Sequence, residues 1–116
     1  MMGEVNKYDP RLVTSVSFEW ELNPIFCNGD YDCLAKMMKF NYRLMYGDFY
    51  RDNSKKGFLH LFKRSIEEIN RMWFVYAANH NLYMDDTSLS IIYGEKTYLD
   101  DILKSYNIIK EDGMYK

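Results

Sequence analysis

Two histidines and two cysteines are the side chains of this 116-residue chain with the strongest potential for catalysis or metal binding. His60 falls opposite the apolar side of a predicted helix, which indicates a solvated histidine. His80 lies where that helix ends, and a protonated imidazole there interacts favourably with the helix dipole and can cap the terminal carbonyls. We interpret His80 as a capping residue. The alternative is a catalytic His80 that works with Asp85 or Asp86 as its carboxylate partner.

Cys27 and Cys33 are separated by five residues across the predicted start of a helix. They can be two small buried apolar side chains, a disulfide pair, or a thiol activated in the first helical turn. We favour the first interpretation because the N-terminus has no apolar signal core, and disulfides belong to oxidising compartments. A Cys27–Cys33 disulfide is kept as the alternative. We expect no metal site, since the cysteine and histidine spacings match no zinc motif.

Pairs of adjacent acidic residues recur along the chain: Glu67-Glu68, Asp85-Asp86, Asp100-Asp101 and Glu111-Asp112. Neighbouring side chains on a helix diverge by roughly 100°, so the two carboxylates of such a pair do not share a site. We therefore expect solvated surface carboxylates. The sequence also has no glycine-rich phosphate loop, no nucleophile elbow and no HExxH motif. We expect no cofactor.

The charge balance argues against phosphate backbones and anionic membranes as partners. Lys and Arg number 15, Asp and Glu number 17, and the net charge is −2. A basic helix face is conceivable, but Glu67 and Glu68 lie inside it and neutralise it; its cations are Lys55, Lys56, Lys63, Arg64 and Arg71. The apolar run Met72–Ala78 is far shorter than the ~20 residues of a membrane span. We expect a cytoplasmic protein that binds neither nucleic acid nor membrane.

The chain reads as a single domain over residues 1–116, because no linker or repeat divides it. Residues 1–11 form a polar lead-in, and residues 110–116 form a polar tail. Strict alternation predicts a strand that ends at Asn23-Pro24, with one apolar face made of Val16, Phe18, Trp20 and Leu22.

Two helices follow in the prediction. The first begins at the capping residue Asp30 and ends at Gly47, a natural helix C-terminal glycine. A polar loop leads to the second, whose apolar positions recur at steps of three and four residues: Phe58, Phe62, Ile66, Ile69, Trp73 and Tyr76.

The C-terminal third predicts a short strand from Ser88 to Tyr93, a turn at Gly94 and a third helix. A weakened capping box of Thr97 and Asp100 begins that helix, and Asn107 ends it before a short extended segment at 108–109. The element order is therefore β-α-α-β-α. We expect an α+β two-layer domain with its helices on one face of a short antiparallel sheet. A mostly helical bundle is the second choice.

Aromatic residues make up 17% of the chain, and there are 8 Met. We interpret A/T-rich codon usage as the main cause of this content, but Tyr and Met are also enriched at protein interfaces. We expect a non-enzymatic protein-binding module, in its narrower form a phage or viral accessory protein that inhibits a host factor. A homo-oligomer is a variant of this hypothesis. Its predicted anchors are Tyr42, Tyr46, Phe49 and Tyr50. The alternative is a small hydrolase or nucleotide-processing enzyme built on His80 and its neighbouring carboxylates.

Overall fold

The computed structural model describes residues 6–13 and 30–116. In this part of the chain there are four α-helices: α1 (Tyr31–Asn53), α2 (Ile66–Asn79), α3 (Asp86–Tyr93) and α4 (Leu99–Ser105). Two antiparallel hairpins form separate two-stranded sheets: β1 (Lys55–Lys56) with β2 (Phe62–Lys63), and β3 (Lys110–Glu111) with β4 (Met114–Tyr115). The predicted small α+β domain is confirmed, with very short strands. The strand predicted at 16–22 lies outside the described residues.

Helix α1 begins where predicted, because the Asp30 side chain accepts a hydrogen bond from the Asp32 amide at 2.9 Å. It does not end at Gly47, as we predicted, but continues to Asn53. Tyr42, Tyr46 and Phe49 carry its inward face across the glycine at helical spacing. Their burial outweighs the roughly 1 kcal/mol that an interior glycine costs a helix.

Gly47→Ala should therefore stabilise the protein. A methyl group at this exposed position meets no atom within 4 Å, so alanine adds helix propensity without a clash. We expect the free energy of unfolding to rise by about 0.5–1 kcal/mol, measured by urea denaturation. The matched control is Gly94→Ala, which also has open space but has a φ of +77° and should destabilise. A Gly47→Ala variant less stable than the parent would contradict the helical placement.

Helix α2 begins at Ile66 and not, as we predicted, at Phe58. The Ser65 hydroxyl accepts a hydrogen bond from the Glu68 amide at 3.1 Å, in a Ser-x-x-Glu arrangement typical of helix starts. Gly57, at φ +88°, turns the chain before that point. Phe58 and Phe62 therefore belong to the β1–β2 hairpin, while the apolar positions from residue 66 onward form the buried face of α2.

The strand predicted over Ser88–Tyr93 is wrong, because this segment is helix α3. The Asp85 side chain accepts from the Ser88 amide at 2.9 Å and caps the helix. The same hydrogen bond lowers the pKa of the Asp85 carboxyl below its ordinary value. Gly94, at φ +77°, ends the helix. With both ends capped, Leu89 and Ile92 reach the core at helical spacing, and the predicted β-α-α-β-α order does not describe this region.

Helix α4 begins without the predicted capping box. The Thr97 hydroxyl donates to the Glu95 carbonyl at 2.8 Å, and the Asp86 carboxylate accepts from the Leu99 amide at 2.8 Å. The Thr97 amide, to which a capping box would direct the Asp100 carboxylate, donates instead to the Ser90 hydroxyl of α3 at 2.9 Å. Asn107, at φ +56°, follows the end of the helix as predicted.

A relay of hydrogen bonds ties the core together. The Trp73 indole N–H donates to the Tyr42 hydroxyl at 3.2 Å, and the Tyr42 and Tyr93 hydroxyls lie 3.1 Å apart. The Tyr93 hydroxyl donates to the Tyr8 carbonyl at 2.6 Å, so its oxygen is left to accept from Tyr42. The relay joins α2, α1, α3 and the N-terminal segment around buried side chains.

The predicted polar tail forms the β3–β4 hairpin, and α2 holds it in place. Arg71 donates to the carbonyls of Tyr106, Asn107 and Lys116 at 2.9–3.1 Å. The Asn79 side chain bonds both the N–H and the C=O of Tyr115 at 2.8 and 3.0 Å. These side-chain contacts satisfy backbone groups that two-residue strands leave unpaired.

Candidate protein-binding surface

Two of the four predicted anchors lie in the core. Tyr42 is fully buried and Tyr46 is 5% exposed. Burial raises the pKa of Tyr42 to about 12 and also raises that of Tyr46, whose hydroxyl donates to the Asn70 side chain. Both tyrosines form the inward face of α1. They therefore do not lie at the surface, and an anchor for a partner would have to lie there.

The other two predicted anchors lie nearer the surface. Phe49 is half-buried, with its ring centroid 5.6 Å from that of Trp73 and 5.3 Å from that of Tyr76. Tyr50 is 38% exposed, and its ring stands against the buried Tyr46 ring. Phe49 also lines a groove between α1 and α2. It is therefore better placed than Tyr50 for contact with another molecule.

Four highly exposed apolar side chains cluster on the β1–β2 hairpin, in the connection and at the start of β2. Phe58, Leu59, Leu61 and Phe62 are 81%, 71%, 69% and 60% exposed, and we call these four residues the hairpin tip. None of the four belongs to the core formed by the described residues. A contiguous group of large exposed apolar side chains is typical of an interaction site.

The hairpin tip has a shaped backbone. Gly57 is at φ +88°, and a Cβ there would come within 2.6 Å of the Phe62 ring, so this ring lies directly over the glycine. Leu59 is at φ +61°, a left-handed conformation that is uncommon for leucine. At the base of the hairpin, the Arg64 side chain donates to the Asn53 and Lys55 carbonyls at 2.8 and 3.2 Å. The tip is thus presented from a base anchored to the end of α1.

The base of the hairpin is basic. Lys55 pairs directly with Lys63 across the two strands, an arrangement of like charges that destabilises a hairpin. Lys56 and Arg64 form ion pairs with Glu68 at 3.4 and 3.6 Å. Lys55 and Lys63 form no ion pair with a described carboxylate. The apolar tip is therefore flanked by two uncompensated positive charges.

A groove of about 490 Å³ lies between the C-terminal half of α1 and α2. Phe49 and Tyr76 line it with aromatic rings that pack on the buried Trp73, and Asp48 and Asp52 add carboxylates one helical turn apart. We call it the acidic groove. Arg51 forms ion pairs with both carboxylates, at 3.4 and 3.3 Å, but all three side chains are more than 60% exposed.

His80 caps helix α2, as we interpreted it. Its Nδ1 lies 2.8 Å from the Tyr76 carbonyl, and its exposed ring lies against the Tyr76 ring at 4.2 Å. Asp85 and Asp86 accept backbone N–H bonds at the starts of α3 and α4. The structure therefore uses these three residues at helix ends and does not bring His80 into a hydrogen bond with either carboxylate.

Among the described residues, the remaining candidates do not converge on a site. Cys33 lies half-buried in the first turn of α1 and Cys27 lies outside the described residues, so the preferred interpretation, two buried apolar side chains, and the alternative, a disulfide, both stay predictions. Within residues 6–13 and 30–116 no group of three or more His, Cys, Asp or Glu is arranged to hold a metal ion. The predicted basic face is divided, since Lys55, Lys56, Lys63 and Arg64 lie at the hairpin while Arg71 holds the C-terminal strand.

The hairpin tip was missed in the sequence because Phe58 and Phe62 continue the four-residue spacing of helix α2. Two local signals marked the true boundary: Gly57 ahead of the segment, and the Ser65-x-x-Glu68 pattern after it. Because Ser65 caps the helix and α2 begins at Ile66, the apolar residues before Ser65 are not part of the apolar face of the helix.

Comparison with known proteins gives no match to a family model, to a curated protein or to a solved structure. Among the described helices, none combines the length and apolar character needed to cross a membrane.

Proposed function

We propose that this chain is a non-enzymatic protein-binding module whose main contact surface is the hairpin tip. The observation that carries the proposal is the exposure of four large apolar side chains, between 60% and 81%, on one anchored turn. Leaving such side chains in water is unfavourable by roughly 1.5–3 kcal/mol each relative to full burial. A partner that covers them recovers part of that free energy.

The setting of the hairpin tip favours a protein partner. An apolar centre with a charged rim is the usual anatomy of a protein interface, and here Lys55 and Lys63 supply the rim. Anionic membrane docking commonly needs a cluster of 4–8 basic residues, whereas this base carries two uncompensated charges and the whole chain a net charge of −2. The narrower hypothesis, inhibition of a host factor by a phage or viral protein, stays a prediction from composition.

The test is crosslinking and affinity capture with a tip variant. Phe58→Ser combined with Leu61→Ser should remove at least 90% of the captured protein, including further copies of this chain, while the far-ultraviolet circular dichroism stays unchanged. Leu44→Ser combined with Ile109→Ser is the matched control, because these apolar residues are 50% and 59% exposed and lie outside the hairpin. If the tip variant captured every partner of the parent chain, the proposal would fail.

A further inference from the structure

We infer that the partner of the hairpin tip is a second copy of this chain, and that the tip of each copy inserts into the acidic groove of the other. This inference rests on the proposed function, whose contact surface it uses. It follows from two complementary surfaces on one molecule. The hairpin tip is apolar with Lys55 and Lys63 beside it, and the acidic groove is aromatic with Asp48 and Asp52 beside it.

The charges on the two surfaces are opposite in sign. Lys55 and Lys63 repel each other across the hairpin and form no ion pair with a described carboxylate, whereas Asp48 and Asp52, one turn apart on α1, share the single cation Arg51. Docking the tip in the groove places the two lysines opposite the two carboxylates. The association thus relieves the repulsion between the lysines, which the isolated chain leaves uncompensated.

Arg51 is the internal competitor for the groove carboxylates. Its ion pairs with Asp48 and Asp52 are exposed, and exposed pairs contribute only about 0–1 kcal/mol. An incoming pair of lysines with an apolar tip between them can displace it. Replacing Arg51 by Gln should therefore tighten the dimer, because the carboxylates then lack their partner within the chain.

The positions of the two surfaces allow a closed dimer. The acidic groove extends to Asp52 near the end of α1, and β1 begins at Lys55, so groove and hairpin adjoin on the molecule. A two-fold axis beside them brings each tip to the other copy's groove in a single reciprocal contact. Such a dimer is complete with two copies, because it leaves neither a tip nor a groove free to bind a third.

The exposed area of the tip supports part of such an interface. Phe58 and Phe62 are 81% and 60% exposed, so at about 150–250 Å² for each ring the four phenylalanines of a dimer can bury roughly 400–700 Å² of tip surface. A specific interface buries about 1,200 Å² or more, and Leu59, Leu61 and the surfaces around the groove have to supply the rest. The groove volume of about 490 Å³ lies in the range of pockets that bury drug-sized groups.

The test is a charge-swap experiment followed by light-scattering mass and sedimentation equilibrium. The parent chain should have a mass near twice 14.0 kDa at micromolar concentration. Lys55→Glu with Lys63→Glu should raise the dissociation constant about 100-fold, and so should Asp48→Lys with Asp52→Lys, because each variant repels itself. Mixing the two variants one to one should restore the dimer, since both reciprocal contacts become attractive. Lys36→Glu with Lys104→Glu, two exposed lysines outside the hairpin, is the matched control and should stay dimeric.

The outcomes separate the inference from the proposed function. A monomeric parent chain, a dimer unchanged by both reversals, or a mixture that stays monomeric would overturn the inference. If the parent is monomeric but the tip variant still loses a captured protein, the proposed function stands with a different partner. If neither self-association nor capture depends on the tip, both fail.

Discussion

Trp73→Ala is expected to lower the free energy of unfolding by about 3–5 kcal/mol. Trp73 is 1% exposed, and its ring centroid lies within 6.3 Å of the ring centroids of Tyr42, Tyr46, Phe49 and Tyr76. Its removal leaves a cavity where α1 packs on α2, and it also removes the N–H donor to the Tyr42 hydroxyl. Domains of this size have a total stability of about 5–15 kcal/mol, so this one change removes a large share.

The measurement is urea denaturation followed by far-ultraviolet circular dichroism, because the substitution removes one of the two tryptophans of the chain and so changes the fluorescence signal itself. Trp73→Phe separates the two contributions. It keeps an aromatic ring in the core and loses the indole N–H, and we expect a smaller decrease of about 1–2 kcal/mol. A Trp73→Ala variant within 1 kcal/mol of the parent would show that this ring is not the centre of the core.

The second large effect is a loss of stability at alkaline pH. Burial raises the pKa of Tyr42 from 10.0 in the unfolded chain to about 12, so the folded state favours the neutral phenol. The contribution of this group is complete below pH 10 and is lost as the pH rises to 12, because the unfolded chain then releases a proton that the folded chain retains. The loss is about 3 kcal/mol for Tyr42 alone. Burial also raises the pKa of Tyr46, Tyr93 and Tyr106, so the total decrease is larger.

Urea denaturation at pH 8, 10 and 11.5 measures this decrease. Tyr42→Phe should be about 1 kcal/mol less stable than the parent at pH 8, since it breaks the hydrogen-bond relay. It should lose less stability than the parent between pH 10 and 11.5, because the group that would ionise is gone. Tyr98→Phe, at a residue 42% exposed, is the control. A Tyr42→Phe variant with the pH dependence of the parent would contradict the prediction.

Local capping chemistry explains which elements the sequence predicted correctly. The start of α1 at Asp30 and the turn at Asn107 depend on side-chain acceptors or left-handed conformations within a few residues. The amphipathic face of α2 from residue 66 onward is equally local, because helical spacing places its apolar residues on one side. The same spacing failed at Phe58, since a periodic pattern alone does not mark where a helix begins.

Gly47 shows the opposite case, in which packing overrides a local preference, and the segment 88–93 shows a local capping signal that outweighs an ambiguous apolar pattern. Gly47 is a common helix terminator, yet α1 passes through it because residues on both sides bury side chains against α2 and α3. Segment 88–93 is short and apolar, a pattern that fits a strand or a buried helix equally well. The segment forms a helix because Asp85 caps its beginning and Gly94, in a left-handed conformation, ends it.

The sequence by itself determined the fold class of this domain, the cap at the start of α1 and the high content of aromatic side chains. Only the tertiary structure decided which aromatic side chains face inward. Tyr42 and Tyr46 are buried because α1 lies against two other helices, and Phe58 and Phe62 are exposed because a glycine and a serine cap remove them from α2. Burial is a property of how elements pack on one another, and residue type and spacing do not contain it.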